Sequence, residues 1–290
     1  MASNAIVGAT VPTTKIAFIG GGNMSQAILG GLLARGQSPN DCFVIDPDEA
    51  ARAKLAEWGI AATAVFDERL LLADSIVLAV KPQMMKAALA PLAGKLTTQL
   101  VISIAAGVSV DSMAYWLGAS GGPERKKYEH IIRTMPNTPA LIHAGITGLY
   151  APPGVSLSER AAAENLLTAV GKTVWFESED MLNAVTAVSG SGPAYVFYLI
   201  EALETAAIEM GFSPNDARLF AVETFLGGAK LAASSAESPA ELRVKVTSRN
   251  GTTERAIKYF ESVALKSAFI DGVKAACARS RELGEELGKD

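Results

Sequence analysis

The sequence predicts an α/β domain with a mostly parallel sheet, followed by an all-α domain. Three observations carry this prediction. Short apolar runs alternate with helical patterns through residues 15–177, the order that crossover connections produce. The runs are apolar throughout rather than alternately polar, as strands buried on both faces require. After about Ser178 strand signals nearly vanish and long helical patterns take over.

The elements follow in order. Lys15 to Ile19 is an apolar strand, and Asn23 to Ala34 a helix with Met24, Ala27, Ile28 and Leu32 on one face. Phe43 to Ile45 is a second strand, and Glu49 to Trp58 a second helix ended by Gly59. Further strands are Ser75 to Val80, stopped by Pro82, Leu100 to Ala105, stopped by Gly107, and Ile131 to Met135, stopped by Pro136. Gly148 to Ala151 and Thr173 to Glu177 bracket a helix from Leu157 to Val170 and extend the sheet. The helical half is expected over residues 178–290, in Ala194 to Met210, Pro214 to Ser234, Thr252 to Val263 and Ala264 to Glu286. Pro193 and Pro214 suit first helical turns, where a missing N–H costs nothing, and Gly211 suits a helix stop. Val196, Leu199, Leu203, Ile208, Phe220, Phe225 and Leu226 are too many apolar side chains for one small core. They fit a compact bundle, a subunit interface, or both.

Composition narrows the function. Of 290 residues, 49% are hydrophobic and 19% charged, a globular balance. The net charge of −4 gives no basic footprint for nucleic acid. Cys42 and Cys277 lack paired spacing, which argues against a disulfide framework or a zinc site and for a reducing, cytoplasmic setting. Residues 1–14 read as a flexible tail with no secretory signal. No run approaches the ~18 apolar residues of a membrane span.

The first strand runs into Gly20-Gly21-Gly22-Asn23-Met24-Ser25, a G-x-G-x-x-S pattern between a strand and a helix. Gly20 permits a tight turn, Gly22 leaves room for a pyrophosphate, and Ser25 is small enough for close helix–strand packing. The helix start aims its N–H groups at the phosphates. Asp46 ends the second strand. An acid there bonds a ribose 2′-hydroxyl and repels a 2′-phosphate, or it starts an Asp-Pro turn with Pro47. Arg52 is loosely spaced to meet a 2′-phosphate.

Ligands of an open parallel sheet lie beyond the strand carboxyl ends. There stand Val80-Lys81-Pro82, Ala105-Ala106-Gly107 and the rigid stretch Met135-Pro136-Asn137-Thr138-Pro139. Lys81 reads as a group for ribose hydroxyls or negative charge, or as a solvated loop lysine. Small residues around Ala106 let a flat nicotinamide lie close to the backbone. In the helical half, Ser189-Gly190-Ser191-Gly192-Pro193-Ala194-Tyr195 precedes a long helix and reads as an anion-binding loop or a cap. Val246 to Thr253 offers hydroxyls and N–H groups in one turn, a cradle for a carboxylate or a capping segment. There is no nucleophile elbow, P-loop lysine or metal-like cluster, and His130 and His143 read as structural or surface histidines. Hydride transfer asks little of side chains beyond alignment and charge accommodation.

This ordered set resembles the pyrroline-5-carboxylate reductase family from Ile16 to about Leu287, in Phe18 to Met24, Ala79 to Pro82, Ala105 to Gly107, Arg133 to Pro139, Ser189 to Tyr195 and Thr247 to Thr253. The resemblance implies a Rossmann-type domain followed by a helical domain that dimerises by interlocking helices. It implies reduction of 1-pyrroline-5-carboxylate to L-proline, the last step of proline biosynthesis, by a homodimer or an oligomer of dimers. The dinucleotide, NADPH with NADH kept open, would lie on Ile19, Gly20, Gly21, Gly22, Asn23, Met24, Asp46, Val80, Lys81, Pro82 and Ala106. Ser248, Gly251, Thr252 and Thr253 would hold the substrate carboxylate, and the Thr253 hydroxyl would face the ring nitrogen, directly or through water. No metal is implied. Three departures stand out: Arg249 and Asn250 replace the usual Pro or Lys, then Gly, and Lys245 replaces Asn. A β-hydroxyacid dehydrogenase would want a lysine on the helix from Ala194, which has none before Lys230. A dinucleotide-binding regulator would not need the hydroxyl cradle.

Overall fold

A computed structural model describes residues 14–118 and 126–288; the tail expected over residues 1–14 lies, but for Thr14, outside them. Eight strands form one sheet: β1 Ile16–Ile19, β2 Cys42–Ile45, β3 Ala61–Thr63, β4 Ser75–Leu78, β5 Leu100–Ser103, β6 Ile131–Met135, β7 Gly145–Tyr150 and β8 Gly171–Trp175. Between and after them run α1 Asn23–Ala34, α2 Glu49–Glu57, α3 Met85–Leu89, α4 Val110–Leu117, α5 Leu157–Thr168 and α6 Met181–Val185. Then come α7 Gly192–Glu209, α8 Pro214–Ser234, α9 Pro239–Lys245, α10 Thr252–Ser262 and α11 Leu265–Gly288. The strand order is β3-β2-β1-β4-β5-β6-β7-β8. Every pairing is parallel except β6 with β7.

The uniformly apolar strands are buried on both faces. Ile16 and Phe18 of β1 join Ile28, Leu29, Leu55 and Leu166 in one core layer. Ala17 and Ile19, pointing oppositely as strand geometry demands, join Leu78, Met85, Leu89 and Met113 in the other. Local signals start the helices: Ser109 caps α4, and Ser156 with Glu159 forms a capping box on α5, an arrangement that satisfies two orphan donors reciprocally.

The differences from expectation have physical causes. The apolar runs Ser75 to Val80 and Leu100 to Ala105 leave the ladder after Leu78 and Ser103, because their last residues form the sheet rim. Strand β3 is three partly exposed residues, Ala-Ala-Thr, too short and too small to show a pattern. Ser189 and Gly190 are not a loop: they close a π-helical turn, Thr186–Gly190, that continues from α6. That turn is stitched by Thr186 and Ser189 hydroxyls donating to the carbonyls of Leu182 and Val185.

The chain divides into two compact units, one through Gly190 plus the stretch from Cys277, the other Ser191–Ala276. Within the second, α7 packs on α8, yet its described buried hydrophobics are Ala207, Ala217 and Ala221 alone. Phe197, Tyr198, Leu219, Phe220 and Tyr259 are each about 60–70% exposed. A self-contained bundle core is therefore not formed by one chain; this apolar surface needs a partner. Among the described residues no helix is long and apolar enough to cross a membrane.

Candidate active site

The order β3-β2-β1-β4-β5-β6 reverses direction between β1 and β4, the switch point at which an open α/β sheet binds ligands. The glycine turn sits there. The Gly20 N–H donates to the Ile45 carbonyl at 2.8 Å, and the Ala79 N–H donates to the Ile19 carbonyl at 2.8 Å. Gly20 has φ +100°, and a Cβ on it would stand 2.5 Å from the Ala79 carbonyl oxygen. Only glycine fits both demands. Ser25 donates to the Gly20 carbonyl at 2.6 Å, and the Gln26 side chain donates to the Gly21 carbonyl at 2.8 Å. Gln26 was not singled out from sequence; its signal is a polar residue inside the buried stripe of α1.

Gly22 is different. A Cβ there would meet nothing within 4 Å, so its side faces open space. It is the N-cap of α1, with no side-chain cap bond and no acid in the first turn. Among the described residues no side chain caps this helix start, so the donors of Asn23 and Met24 are offered to an anion. This cradle fits a dinucleotide pyrophosphate.

Asp46 serves the turn. Its carboxylate accepts the Gly21 N–H at 2.5 Å and the Asp48 N–H at 2.8 Å, joining β2 to the fingerprint as well as opening the Asp-Pro turn. Arg52 donates to the carbonyls of Asp46 and Pro47, both at 2.8 Å. This holds a cation at the same strand end.

Val80 follows β4 half-buried, and Lys81 is exposed at the start of the single turn Pro82–Met84. Across the rim, the Ile104 N–H donates to the Leu78 carbonyl at 3.1 Å. Ala105 is buried, Ala106 half-buried, and Gly107 turns with φ +76°. Asn137, by contrast, is a brace: its side-chain oxygen accepts the Ile146 N–H at 2.9 Å. Arg133, 5% exposed, pairs with Glu179 at 2.9 Å, and Glu179 also accepts the Val110 N–H at 2.8 Å. His130 pairs with Glu159 at 2.6 Å, remote from the glycine turn in sequence and serving the α5 cap.

The second unit carries the hydroxyl turn. The Gly251 N–H donates to the Ser248 carbonyl at 3.0 Å, closing a turn over Ser248–Gly251. Asn250 takes φ +59°, a left-handed conformation that Asn tolerates better than most residues. The turn therefore takes a left-handed residue at this position without a glycine. The Asn250 N–H donates to Glu254 at 2.7 Å. Gly251 is the N-cap of α10 without a side-chain cap bond, so the first N–H groups of α10 at Thr252 and Thr253 stand beside the Ser248 and Thr253 hydroxyls in sequence. Lys245 is engaged elsewhere, in an ion pair with Glu237. Ser248 is exposed and Thr253 half-buried.

A Rossmann-ordered sheet with an anion cradle at its switch point defines a dinucleotide-binding protein. Two family models match: one described as NADP oxidoreductase, coenzyme F420-dependent, over residues 15–107, and one as pyrroline-5-carboxylate reductase dimerisation over residues 179–283. The chain belongs to the pyrroline-5-carboxylate reductase family. It is 44% identical to the Pseudomonas aeruginosa pyrroline-5-carboxylate reductase, over 96% of this chain and 99% of that one. Among solved structures, the Coxiella burnetii pyrroline-5-carboxylate reductase superposes with TM-score 0.84 at 40% identity, covering 93% and 98% of the two chains. The Plasmodium falciparum pyrroline carboxylate reductase, solved with NADP bound, gives TM-score 0.80 at 25% identity, covering 95% and 100%.

Proposed function

We propose that this protein reduces 1-pyrroline-5-carboxylate to L-proline, with NADPH as the preferred hydride donor and NADH as the alternative. The observation that carries the reading is the Gly20–Gly22 cradle at the switch point, in a chain whose family is that of the reductase. When bound, the dinucleotide supplies the hydride. The chain does the rest. Gly22 and the α1 N–H groups of Asn23 and Met24 bind the pyrophosphate. Ile19, Gly20, Gly21 and Asp46 shape that turn, and Val80, Lys81, Pro82 and Ala106 border the nicotinamide half. Ser248, Gly251, Thr252 and Thr253 hold the substrate carboxylate by hydroxyls and by the start of α10. The Thr253 hydroxyl hydrogen-bonds the imine nitrogen, directly or through a water, and so orders the proton that this nitrogen gains.

Preference for the phosphorylated donor is supported by the NADP-bound Plasmodium falciparum relative and by Arg52, while the Asp46 carboxylate opposes it by repelling a 2′-phosphate. Both carboxylate oxygens of Asp46 are engaged by backbone N–H groups, and Arg52 keeps a guanidinium at the end of β2. Residues 15–177 are assigned to dinucleotide binding and 178–290 to substrate binding and dimerisation. The uncovered apolar helices of the second unit support a homodimer or an oligomer of dimers. The thiols of Cys42 and Cys277 are unpaired, which suits the cytoplasm.

The test is loss of reduced-nicotinamide absorbance with 1-pyrroline-5-carboxylate, with both donors side by side and proline assayed as product. Turnover with proline formation, faster with NADPH, is expected. Binding of either donor without turnover would refute the reading.

A further inference from the structure

The end of α11 lies against the turn assigned to the nicotinamide. A Cβ on Gly284 would stand 3.3 Å from the Gly107 carbonyl oxygen, and one on Gly107 would stand 3.2 Å from a Leu287 methyl. Glycine faces glycine, so helix and turn meet backbone to backbone. Leu287 also packs on the core layer containing Ala105, Val108 and Val110.

Side chains hold the helix in this place. Ser280, 4% exposed, donates to the Asn183 side chain at 2.8 Å. Arg281 makes a two-pronged bond to Asp180 at 2.8 and 3.0 Å. Glu179, next in sequence, accepts the Val110 N–H just beyond the same turn and anchors it to the buried Arg133. Val110, beyond the Ala106–Gly107 turn, is thereby tied to the segment that leads into α6, and that segment and α6 to the last turns of α11. None of these groups is among the residues given a binding or catalytic part above.

We propose that the last turns of α11, through Gly284 and Leu287, are a positioning element that sets the height of the Ala106–Gly107 backbone under the nicotinamide. The inference rests on the assignment of Ala106 to the nicotinamide half. Gly284 is the positioning residue. A methyl there forces the Gly107 carbonyl to yield by a few tenths of an ångström. A 1 Å misplacement can cost about a hundredfold in rate, so a fraction of that is worth about three- to tenfold.

The Gly284→Ala variant tests this well, because alanine in a helix is favoured over glycine by about 1 kcal/mol, so loss of fold is not the expected outcome. Single-turnover reduction of 1-pyrroline-5-carboxylate should slow about three- to tenfold, with a larger isotope effect from C4-deuterated NADPH. NADPH affinity should stay within about twofold, and thermal stability should not fall. Independently of activity, Leu287→Ala should speed amide exchange at residues 105–110 in the dinucleotide-free protein. Native-rate hydride transfer in Gly284→Ala, or unchanged exchange in Leu287→Ala, would overturn the inference while leaving the reductase reading intact. Absence of turnover in the unaltered protein would instead overturn that reading and this inference with it.

Discussion

Gly20 and Gly22 stand two residues apart in one motif, and the structure gives them opposite jobs. Replacing Gly20 by Ala puts a Cβ 2.5 Å from the Ala79 carbonyl oxygen and 2.7 Å from its carbon, at φ +100°. Left-handed strain costs about 1–2 kcal/mol and overpacking about 1–3, so the variant should lose about 2–5 kcal/mol of stability. Thermal unfolding should then fall by about 5–15 °C. Replacing Gly22 by Ser meets no atom within 4 Å. Its φ of −67° and ψ of −173° suit a serine N-cap, so stability should hold or rise by a few tenths of a kcal/mol. The new hydroxyl would, however, accept a helix N–H otherwise offered to the pyrophosphate. Losing one charge-assisted bond costs about 1.5–3 kcal/mol, which weakens NADPH binding about ten- to hundredfold. Thermal unfolding and fluorescence titration with NADPH separate the two effects. Native affinity in Gly22→Ser would refute the placement of phosphates at the start of α1. Native stability in Gly20→Ala would refute the packing argument at the switch point.

Other outcomes follow from the same geometry. Thr253→Ala should lower kcat by about a hundredfold, the low end of general acid–base contributions, with NADPH affinity unchanged; steady-state kinetics and titration decide it, and full activity would remove Thr253 from the mechanism. Asp46→Ser should raise the NADPH-to-NADH ratio of kcat/KM; an unchanged ratio would leave Asp46 as a turn residue only. Burial pushes the Glu159 carboxyl up, but bonds from Ser156 and His130 outweigh it and hold the group below its ordinary 4.5. Its stabilisation is therefore complete above about pH 4.5 and is lost as pH falls through the lowered value. Glu159→Ala should cost about 1–2 kcal/mol at neutral pH and flatten the acid limb of a stability–pH curve. Burial, aided by Asp41, raises the Cys42 thiol to about 12; a thiol reagent at pH 8 should leave it unlabelled until the chain is unfolded.

Much of this was legible in the chain itself because the signals are local. The apolar runs of β1, β4 and β5, the helix stop at Gly211 and the glycine turn each lie within a few residues of their effect. The hydroxyl turn from Val246 to Thr253 was legible too, as was the excess of apolar residues on α7 and α8. What sequence did not show depends on distant partners. The antiparallel pairing of β6 with β7 needs no different residues from a parallel one. Asn137 looked functional between its prolines, yet its amide serves the backbone of Ile146. Glu179 carries no local signal, because its bonds to Arg133 and Val110 span 46 and 69 residues. The Ser189–Tyr195 stretch misled for the opposite reason: its small residues look like a loop, while two hydroxyl-to-carbonyl bonds wind its first part into the π-turn.

The first compact unit is built from two separate stretches of chain, since the part from Cys277 onward belongs with residues before Gly190. During synthesis, the eight strands can assemble as they leave the ribosome. The backbone that covers Gly107 arrives only with α11. A nascent chain released early, or a protein clipped near its carboxyl terminus, would keep the sheet and the glycine cradle while missing that cover. Loss of the last turns of α11 would act as a lesion in the first-made half of the molecule.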